Sequence, residues 1–464
     1  MISFILNDRL VRTGERPGMV LLEFIRNVSC LSGTKDACRE GECGACTVLL
    51  GSPEPDGSVS YRACASCLLP LGEADGRHVV TVEGLSVEPL TLVQRLIVEH
   101  GASQCGFCTP GIVLSLTGFA LSSPSLSYED AVTALDGNIC RCTGYVSIRS
   151  AAGALCEAIS GAGKPPAGRL DFMIKAGVAP EYFRGIPARL GELEASPDLP
   201  DGKAVPVAGG TDLFAREPER LLESGLRFLS RRRDLAGIRE DRGFLRAGGA
   251  VTIEAFRNSA AVLRHFPALA QDLLLHSSAI LRNKATLAGN IANASPVGDA
   301  AIILLALGAR LTISGEAGER EIPLEKFYLG YKRTDLACGE LISAISIPLP
   351  PSGARYHFEK VSNRVTLDIA AANSALFLTT GPGGTVSGLR VSAGGVAPVP
   401  MLVPGLDVFL GRSPGDALAE DLAAAAMAAA KPIDDVRGSA EYKKLLLGRL
   451  ILAHFRALYP GEAA

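Results

Sequence analysis

Cysteine spacing is the feature of this sequence that most directly predicts chemistry. Cys38, Cys43 and Cys46 follow the pattern C-x4-C-x2-C, and a fourth cysteine lies further along the chain at Cys67. That pattern is typical of plant-type [2Fe–2S] ligation. Two glycines lie inside the run, and they suit a loop that wraps closely around an inorganic core, because glycine tolerates positive φ and adds no side-chain bulk. The sequence therefore predicts an electron-transfer site.

Zinc is the alternative metal for this first cysteine set. Structural zinc prefers paired C-x2-C units, whereas three cysteines here lie within nine residues. This density favours a dinuclear cluster over a single tetrahedral ion. The fourth ligand stays open on spacing alone, because Cys64 and Cys67 lie three residues apart and one of them must be a bystander.

A second cysteine set consists of Cys105 and Cys108 together with Cys140 and Cys142. A C-x2-C unit at a helix start is also how a thioredoxin-like dithiol looks, but no βαβ pattern surrounds this one. Thiolates at two helix N-termini could hold a second cluster, whose negative charge the helix dipoles would favour. Three further cysteines, Cys30, Cys156 and Cys338, are each expected to be a buried small apolar residue.

Composition excludes several other classes of function. The 464 residues suffice for three or four domains, and 46 basic against 49 acidic residues leave a net charge of −3. Such a balance gives no electrostatic footprint for nucleic acid or anionic membrane. The longest apolar run, Ala300–Ala309, is too short to cross a bilayer. Without a signal peptide pattern at the amino terminus, we expect a cytoplasmic protein whose cysteines are not in structural disulfides.

Periodicity divides the chain into five segments. Short strands and turns fill residues 1–84, with a strand predicted at Val79–Val82, and helical periodicity follows over 85–160. Within that second segment Thr109 is predicted as an N-cap, followed by proline at the first helical position. Residues 161–175 are predicted as a linker. Mixed strands and helices are expected over 176–380, followed by a glycine-rich break at 381–384. The last segment, 385–464, is predicted to contain an alanine-rich helix near 418–430 and a long helix from about 439 to 458.

Two loops in the fourth segment are predicted to bind phosphate groups. Each is rich in small residues, hydroxyls and backbone N–H donors, and the second ends in a carboxylate suited to ribose hydroxyls. Neither has the G-x-G-x-x-G context, so a Rossmann site is disfavoured. The first loop comprises Pro206, Val207, Ala208, Gly209, Gly210, Thr211, Asp212 and Leu213. The second comprises Thr286, Leu287, Ala288, Gly289 and Asn290 and extends to Asp299.

Four of these motifs together resemble the xanthine dehydrogenase family of molybdenum hydroxylases, in particular the bacterial small subunit that carries iron–sulfur clusters and FAD. They are the runs 38–46, 104–111, 137–145 and 286–290. The resemblance implies a multidomain α+β fold. Its parts would be a ferredoxin-like β-grasp [2Fe–2S] domain over 1–84, a four-helix [2Fe–2S] domain over 85–160, a PCMH-type FAD domain over 176–380, and a C-terminal CO-dehydrogenase-flavoprotein-like domain over 385–464.

The resemblance also implies roles for individual residues. Cys67 rather than Cys64 matches the fourth ligand of the first cluster, and Gln104 matches a residue that faces the pterin of a partner subunit. The FAD positions are the two phosphate loops with Asp299, and additionally Ile342 and Lys360. Three further positions match the surroundings of the flavin ring and the nicotinamide, namely Tyr331, Arg364 and Asp368.

The function implied by the resemblance is electron transfer in xanthine dehydrogenase. Electrons from purine hydroxylation at a molybdopterin site would pass through the second cluster, the first cluster and FAD to NAD⁺. No residue of this chain is expected to catalyse the hydroxylation itself, since the molybdenum site would lie on a large partner subunit in an assembly with two copies of each chain. A related hydroxylase subunit acting on an aldehyde or another heterocycle, or a non-enzymatic redox sensor, are the alternatives.

Overall fold

The computed structural model describes residues 1–163, 169–193 and 204–460. The chain forms two compact units, of which the first comprises residues 1–228 and 278–284, and the second residues 229–277 and 285–464. The middle of the predicted linker, 164–168, lies outside the described residues, whereas its end forms the helix Arg169–Lys175. Met173 and Ile174 of that helix are buried in the first unit, so these residues pack rather than link.

A five-stranded sheet begins the first unit, in the order β2-β1-β5-β3-β4. Alternating apolar residues put Ile2, Phe4 and Leu6 on one buried face, as a half-buried strand requires. The predicted strand at Val79–Val82 ends at Val80, because Thr81 N donates to the Asn7 side chain and a short helix then begins. The strands are β1 (Ile2–Leu6), β2 (Arg9–Thr13), β3 (Thr47–Pro53), β4 (Val59–Ala65) and β5 (His78–Val80).

Four helices follow the sheet, as the periodicity predicted. Thr91 and Ser127 are N-caps whose side chains accept hydrogen bonds from backbone N–H groups. The prediction for Thr109 was wrong by one residue, because Cys108 is the N-cap and the Thr109 hydroxyl instead contacts Ser103 Oγ at 2.8 Å. The helices are Leu92–Glu99, Thr109–Ser122, Tyr128–Thr133 and Val146–Gly161.

The rest of the first unit packs onto the same core. Parallel strands β6 (Val205–Val207) and β7 (Leu226–Phe228) enclose a loop that leads into two short helices. The segment Ser278–Lys284 also belongs to this unit, although the chain has by then entered the second unit. The additional helices are Leu21–Glu23, Val82–Leu85, Ile186–Gly191, Leu213–Arg216, Pro218–Glu223 and Ala279–Arg282.

The second unit contains a five-stranded and a four-stranded sheet. The order of the first is β11-β10-β14-β9-β8, that of the second is β15-β16-β17-β18, and β12 pairs with β13 in a small hairpin. The strands are β8 (Ile238–Asp241), β9 (Phe244–Gly248), β10 (Arg310–Gly315), β11 (Gly318–Pro323), β12 (Tyr328–Gly330), β13 (Arg333–Thr334), β14 (Leu341–Pro348), β15 (Arg355–Val361), β16 (Ala372–Thr380), β17 (Val386–Gly394) and β18 (Met401–Leu402).

Helices cover these sheets. All eight residues of Asp299–Ala306 are buried, which explains the long apolar run, and no helix among the described residues is long and apolar enough to span a membrane. The two C-terminal helices begin close to their predicted positions. The helices are Ile253–Arg257, Ala260–His265, Leu269–Asp272, Leu287–Ala292, Asp299–Ala306, Asp416–Ala429 and Ala440–Leu458.

The predicted break at 381–384 is a turn inside one sheet. Gly381 N donates to Thr385 O, which closes the hairpin between β16 and β17. Both strands pack against the helices Asp416–Ala429 and Ala440–Leu458 in one apolar core. A run of glycine and proline marks a hairpin as readily as a domain boundary, so the boundary placed between 380 and 385 falls within a continuous sheet.

Candidate electron-transfer site

The first cysteine loop is an irregular segment between the helical turn at 24–28 and β3. Positive φ angles at Arg39 (58°), Gly41 (77°) and Gly44 (68°) curl the backbone, so that its N–H groups face inward on the sulfurs. The Cys43 thiol donates to the Cys38 sulfur, and with the N–H groups of Glu40 and Glu42 it lowers the pKa of Cys38 to about 5. This loop can therefore stabilise thiolate charge.

Cys67 joins the same group of thiols. Its side chain donates to Cys46, which raises the pKa of Cys67 and lowers that of Cys46. Cys64 lies elsewhere, in the apolar cluster that contains Phe4 and Val48, and burial raises its pKa to about 11. This geometry supports Cys67 as the fourth ligand, which stays a prediction.

The second cysteine set lies at the N-terminal ends of the helices Thr109–Ser122 and Val146–Gly161 in the same unit. Cys105 and Cys142 are exposed and contact each other through a thiol hydrogen bond. Cys108 forms a thiol hydrogen bond with Cys140, and burial together with that hydrogen bond raises the pKa of Cys108 to about 12. Gln104, predicted to face a partner pterin, is exposed beside this set.

The two cysteine loops are in direct contact. Ile139 N donates to Cys43 O at 3.0 Å. The buried Asn138 side chain donates to Gly44 O at 3.2 Å and accepts from Ser115 Oγ at 2.7 Å. A Cβ at Gly44 would lie 2.4 Å from Gly137 O, so only glycine permits this approach. The fold therefore fixes the separation of the two sets.

The donor chemistry of these loops fits two iron–sulfur clusters. In the described parts of the chain no three Cys, His, Asp or Glu side chains form a group preassembled for a metal ion. The eight sulfurs are instead joined in thiol pairs, as in protonated cysteines, and iron binding would replace those protons. Backbone N–H groups already directed at the sulfurs, such as those of Gly41 and Ala45, are donors that stabilise cluster charge.

The remaining cysteines divide between two environments. Cys156 is buried, as expected, and its thiol contacts Ser127 O at 3.4 Å. Cys30 and Cys338 are exposed, so the expectation of burial was wrong for both. Cys30 has φ 55° and follows a tight helical turn, and Cys338 lies in the loop before β14.

The first predicted phosphate loop, Pro206–Leu213, begins within β6 in the first unit. Gly210 has φ 73°, and Phe214 N donates to Gly210 O at 2.9 Å, so the double glycine forms a tight turn. Asp212 pairs with Arg216 across an exposed helical turn at 3.5 Å.

The second predicted phosphate loop lies in the second unit and begins the helix Leu287–Ala292. Thr286 caps that helix, because its hydroxyl oxygen accepts a hydrogen bond from Gly289 N at 3.0 Å. The hydroxyl hydrogen remains able to donate to a ligand. Asn290 Oδ1 is buried, and no described residue bonds to it. A buried acceptor without a partner costs about 1–3 kcal/mol. A bound ligand that donates a hydrogen bond to this oxygen would remove that cost.

Asp299 and Lys360, both predicted for FAD, form a buried ion pair at 2.8 Å. Lys360 Nζ also donates to Leu275 O at 2.7 Å. Asn373, which the sequence reasoning missed, donates to Asp299 Oδ1 at 2.6 Å. An asparagine at the second position of β16, close to the apolar residues of that strand, was the available signal. Ile342 is buried in β14 of the same unit.

The three positions predicted near the flavin ring and nicotinamide lie on two surface loops of the second unit. Tyr331 is exposed between β12 and β13. Asp368 Oδ2 accepts from Arg364 N at 2.9 Å, which closes a compact loop in which Leu367 has φ 53°. The residues predicted for FAD are thus divided between the two units, and their joint role stays a prediction.

Four family models match the chain in succession. The 2Fe-2S iron-sulfur cluster binding domain matches residues 4–71, and the [2Fe-2S] binding domain matches 81–153. The FAD binding domain in molybdopterin dehydrogenase matches 187–350, and the CO dehydrogenase flavoprotein C-terminal domain matches 356–458.

Individual proteins agree with these matches. Xanthine dehydrogenase of Emericella nidulans is 31% identical, over 88% of this chain and 35% of its own length. The CO dehydrogenase structure from Oligotropha carboxidovorans is 30% identical with a TM-score of 0.52, over 55% of this chain and 90% of that one. The one from Hydrogenophaga pseudoflava is 28% identical with a TM-score of 0.53, over 56% and 91%.

The chain therefore belongs to the molybdenum hydroxylase family, as an electron-transfer chain with two iron–sulfur domains and an FAD-binding domain. The resemblance found in the sequence and the multidomain α+β fold class are confirmed. The chain spans about a third of the length of its xanthine dehydrogenase relative from Emericella nidulans.

The buried oxygen of Asn290 makes a test of the flavin site possible. Asn290→Leu should weaken FAD binding at least tenfold, about 1.4 kcal/mol, since the ligand loses an acceptor. The free chain should keep its thermal stability, because the substitution removes an unsatisfied acceptor. Fluorescence titration with FAD checks the affinity. The exposed Asn258→Leu is the matched control and should bind FAD normally. Unchanged affinity in Asn290→Leu would exclude this loop from the site.

Proposed function

We propose that this chain is the iron–sulfur/FAD subunit of a xanthine dehydrogenase, which passes electrons from hypoxanthine and xanthine oxidation to NAD⁺. The observation that carries the proposal is that eight thiols from two cysteine sets occupy adjoining loops of one unit. Electron transfer between two carriers needs a fixed short distance, and the Asn138 and Ile139 contacts fix it.

The chain's own residues bind and orient the cofactors. Cys38, Cys43, Cys46 and Cys67 would hold the first cluster, and the second set of four cysteines would hold the other. The loop Pro206–Leu213, the loop at Thr286–Asn290 and the pair Asp299–Lys360 would bind FAD without a covalent bond. When bound, the clusters carry single electrons and FAD exchanges them for the electron pair of a hydride.

A partner subunit would cover the second cysteine set. Four large apolar side chains around Cys105 and Cys142 are exposed, and so is Gln104: Phe107 (46%), Ile139 (45%), Tyr145 (37%) and Val146 (76%). Exposed apolar residues that surround a redox site are typical of a permanent interface. We propose a molybdopterin-binding large subunit as the occupant, with two copies of each chain, in the cytoplasm.

The substrate and the electron acceptor depend on that partner. The relatives include CO dehydrogenases as well as a xanthine dehydrogenase, so the substrate differs among them. A related hydroxylase acting on an aldehyde or another heterocycle, with another acceptor, is therefore the second candidate. The match to an FAD-binding domain over 187–350 makes a cluster-bearing sensor without enzymatic function the weaker alternative.

The test compares the activities of the purified chain with those of its complex with the partner subunit. The purified chain should contain about four irons and four labile sulfides, with two distinct reduced cluster signals in electron paramagnetic resonance. Acid precipitation should release its FAD. It should oxidise NADH with an artificial dye, yet turn over xanthine only after the large subunit is added.

A cysteine variant makes this test specific. Cys142→Ser should lose the second cluster and the xanthine-to-NAD⁺ activity of the complex, while NADH–dye activity remains. The buried Cys156→Ser is the matched control and should keep both activities. Zinc in place of iron would refute the cluster assignment. Full FAD loading without NADH–dye activity would exclude NAD⁺ as the acceptor and favour the second candidate.

A further inference from the structure

The segment Ser278–Lys284 lies within the 187–350 match to the FAD-binding domain but packs in the first unit with the cysteine loops. It includes the short helix Ala279–Arg282. Its neighbours are residues of both loops: Leu281 adjoins Gly41, and Ser278 and Ile280 adjoin Gly137.

Two buried ion pairs hold the segment in this position. Arg282 is fully buried, and its guanidinium donates to Asp136 Oδ2 at 2.9 Å. Lys284 Nζ lies 2.7 Å from Glu73 Oε2, and Glu73 is also fully buried. Displacing the segment would separate Arg282 and Lys284 from their buried carboxylate partners, which is strongly unfavourable in the interior of a fold. The position of the segment is therefore strongly fixed.

Leu281 is the residue of this segment nearest to the first cysteine loop. A Cβ at Gly41 would lie 2.7 Å from Leu281 Cδ2 and 2.7 Å from Leu68 Cδ1, so the two leucines close the space above the glycine. Gly41 N–H bonds to the Cys67 sulfur. Leu281 thus adjoins the glycine whose N–H bonds to the Cys67 sulfur, and it covers that side of the loop with an apolar side chain.

We propose that Leu281 is a positioning residue that sets the reduction potential of the cluster held by Cys38, Cys43, Cys46 and Cys67. This inference rests on the proposed function, in which that cluster is bound. Reduction adds one electron, and hence one negative charge, without making or breaking a bond. Apolar cover disfavours the added charge, whereas water dipoles near the sulfurs favour it. Leu281 excludes water there and lowers the potential.

The test compares Leu281→Asn with Leu281→Met in the full chain carrying its clusters. Dithionite titration followed by electron paramagnetic resonance gives the reduced-to-oxidised ratio of each cluster. At a fixed solution potential, Leu281→Asn should raise that ratio about tenfold for the first cluster. For a one-electron couple this corresponds to a rise of about 59 mV in the reduction potential. Leu281→Met keeps the volume and apolar character and should change it less than twofold. The second cluster should be unchanged in both variants.

Deuterium coupling in pulsed electron paramagnetic resonance, measured in D₂O, should increase for the first cluster in Leu281→Ala, which opens space for water near the sulfurs and adds no exchangeable hydrogen of its own. Should Leu281→Asn fold poorly, Leu281→Ser makes the same test. Equal shifts in the Asn and Met variants, or no shift in a chain with about four irons, would overturn the role of Leu281. A wild-type chain without iron would refute the proposed function and this inference together.

Discussion

Replacing Cys67 with alanine is expected to remove one iron–sulfur cluster, so that iron falls from about four to about two per chain. The Cys67 thiol forms a hydrogen bond with Cys46, and the backbone N–H of Gly41 donates to the Cys67 sulfur. Loss of one of four thiolates leaves an iron of the cluster incompletely ligated. Iron and sulfide analysis with resonance spectra of the reduced chain measures the loss.

Cys64→Ala is the matched control for that experiment. Its side chain is fully buried in the apolar cluster with Phe4 and Val48, away from the other thiols. We expect both cluster signals to remain, and folding stability to fall by about 1 kcal/mol from the small cavity. If Cys64→Ala lost a cluster and Cys67→Ala kept both, the ligand assignment would be wrong.

Lys360→Met is expected to lower the free energy of unfolding of the second unit by about 3–5 kcal/mol. Only 2% of the Lys360 side chain and 8% of the Asp299 side chain are exposed, so the substitution leaves a buried carboxyl group without its cation. Leu275 O would lose a donor as well. Denaturant unfolding monitored by circular dichroism measures the change, and FAD content should fall with it.

Two further variants separate the buried charge from other effects. The double variant Asp299→Asn with Lys360→Met removes both charges, and we expect it to be more stable than Lys360→Met alone. Arg412→Met breaks an exposed pair with Asp421 in the same unit, and it should cost less than about 1 kcal/mol. A loss in Lys360→Met no larger than in Arg412→Met would show that the buried pair contributes little.

The order of domains and the presence of two cysteine sets could be predicted from the sequence, because both depend on local spacing. The C-x4-C-x2-C run, the paired cysteines at helix starts and the helical periodicity of 85–160 each lie within a short stretch of chain. Errors at this level were small and local. Thr109 was misplaced by one position because its hydroxyl found Ser103 instead of its own backbone.

Tertiary structure alone decided which distant residues meet. Sequence spacing left Cys64 and Cys67 open, whereas packing separates them, since β4 buries Cys64 in one core and the following turn brings Cys67 to Cys46. Similarly, the glycine-rich break at 381–384 resembles a domain boundary in the sequence, whereas in the structure it is the turn between the paired strands β16 and β17.

The contacts of longest range were invisible in the sequence. Arg282 pairs with Asp136, 146 residues away, and Lys284 with Glu73, 211 residues away. Spacing patterns report on neighbours within a helix turn or strand, while such pairs form because a buried charge must find its partner wherever the fold provides one. The sequence thus determined which chemically active residues the chain carries, and the fold decided which residues surround them.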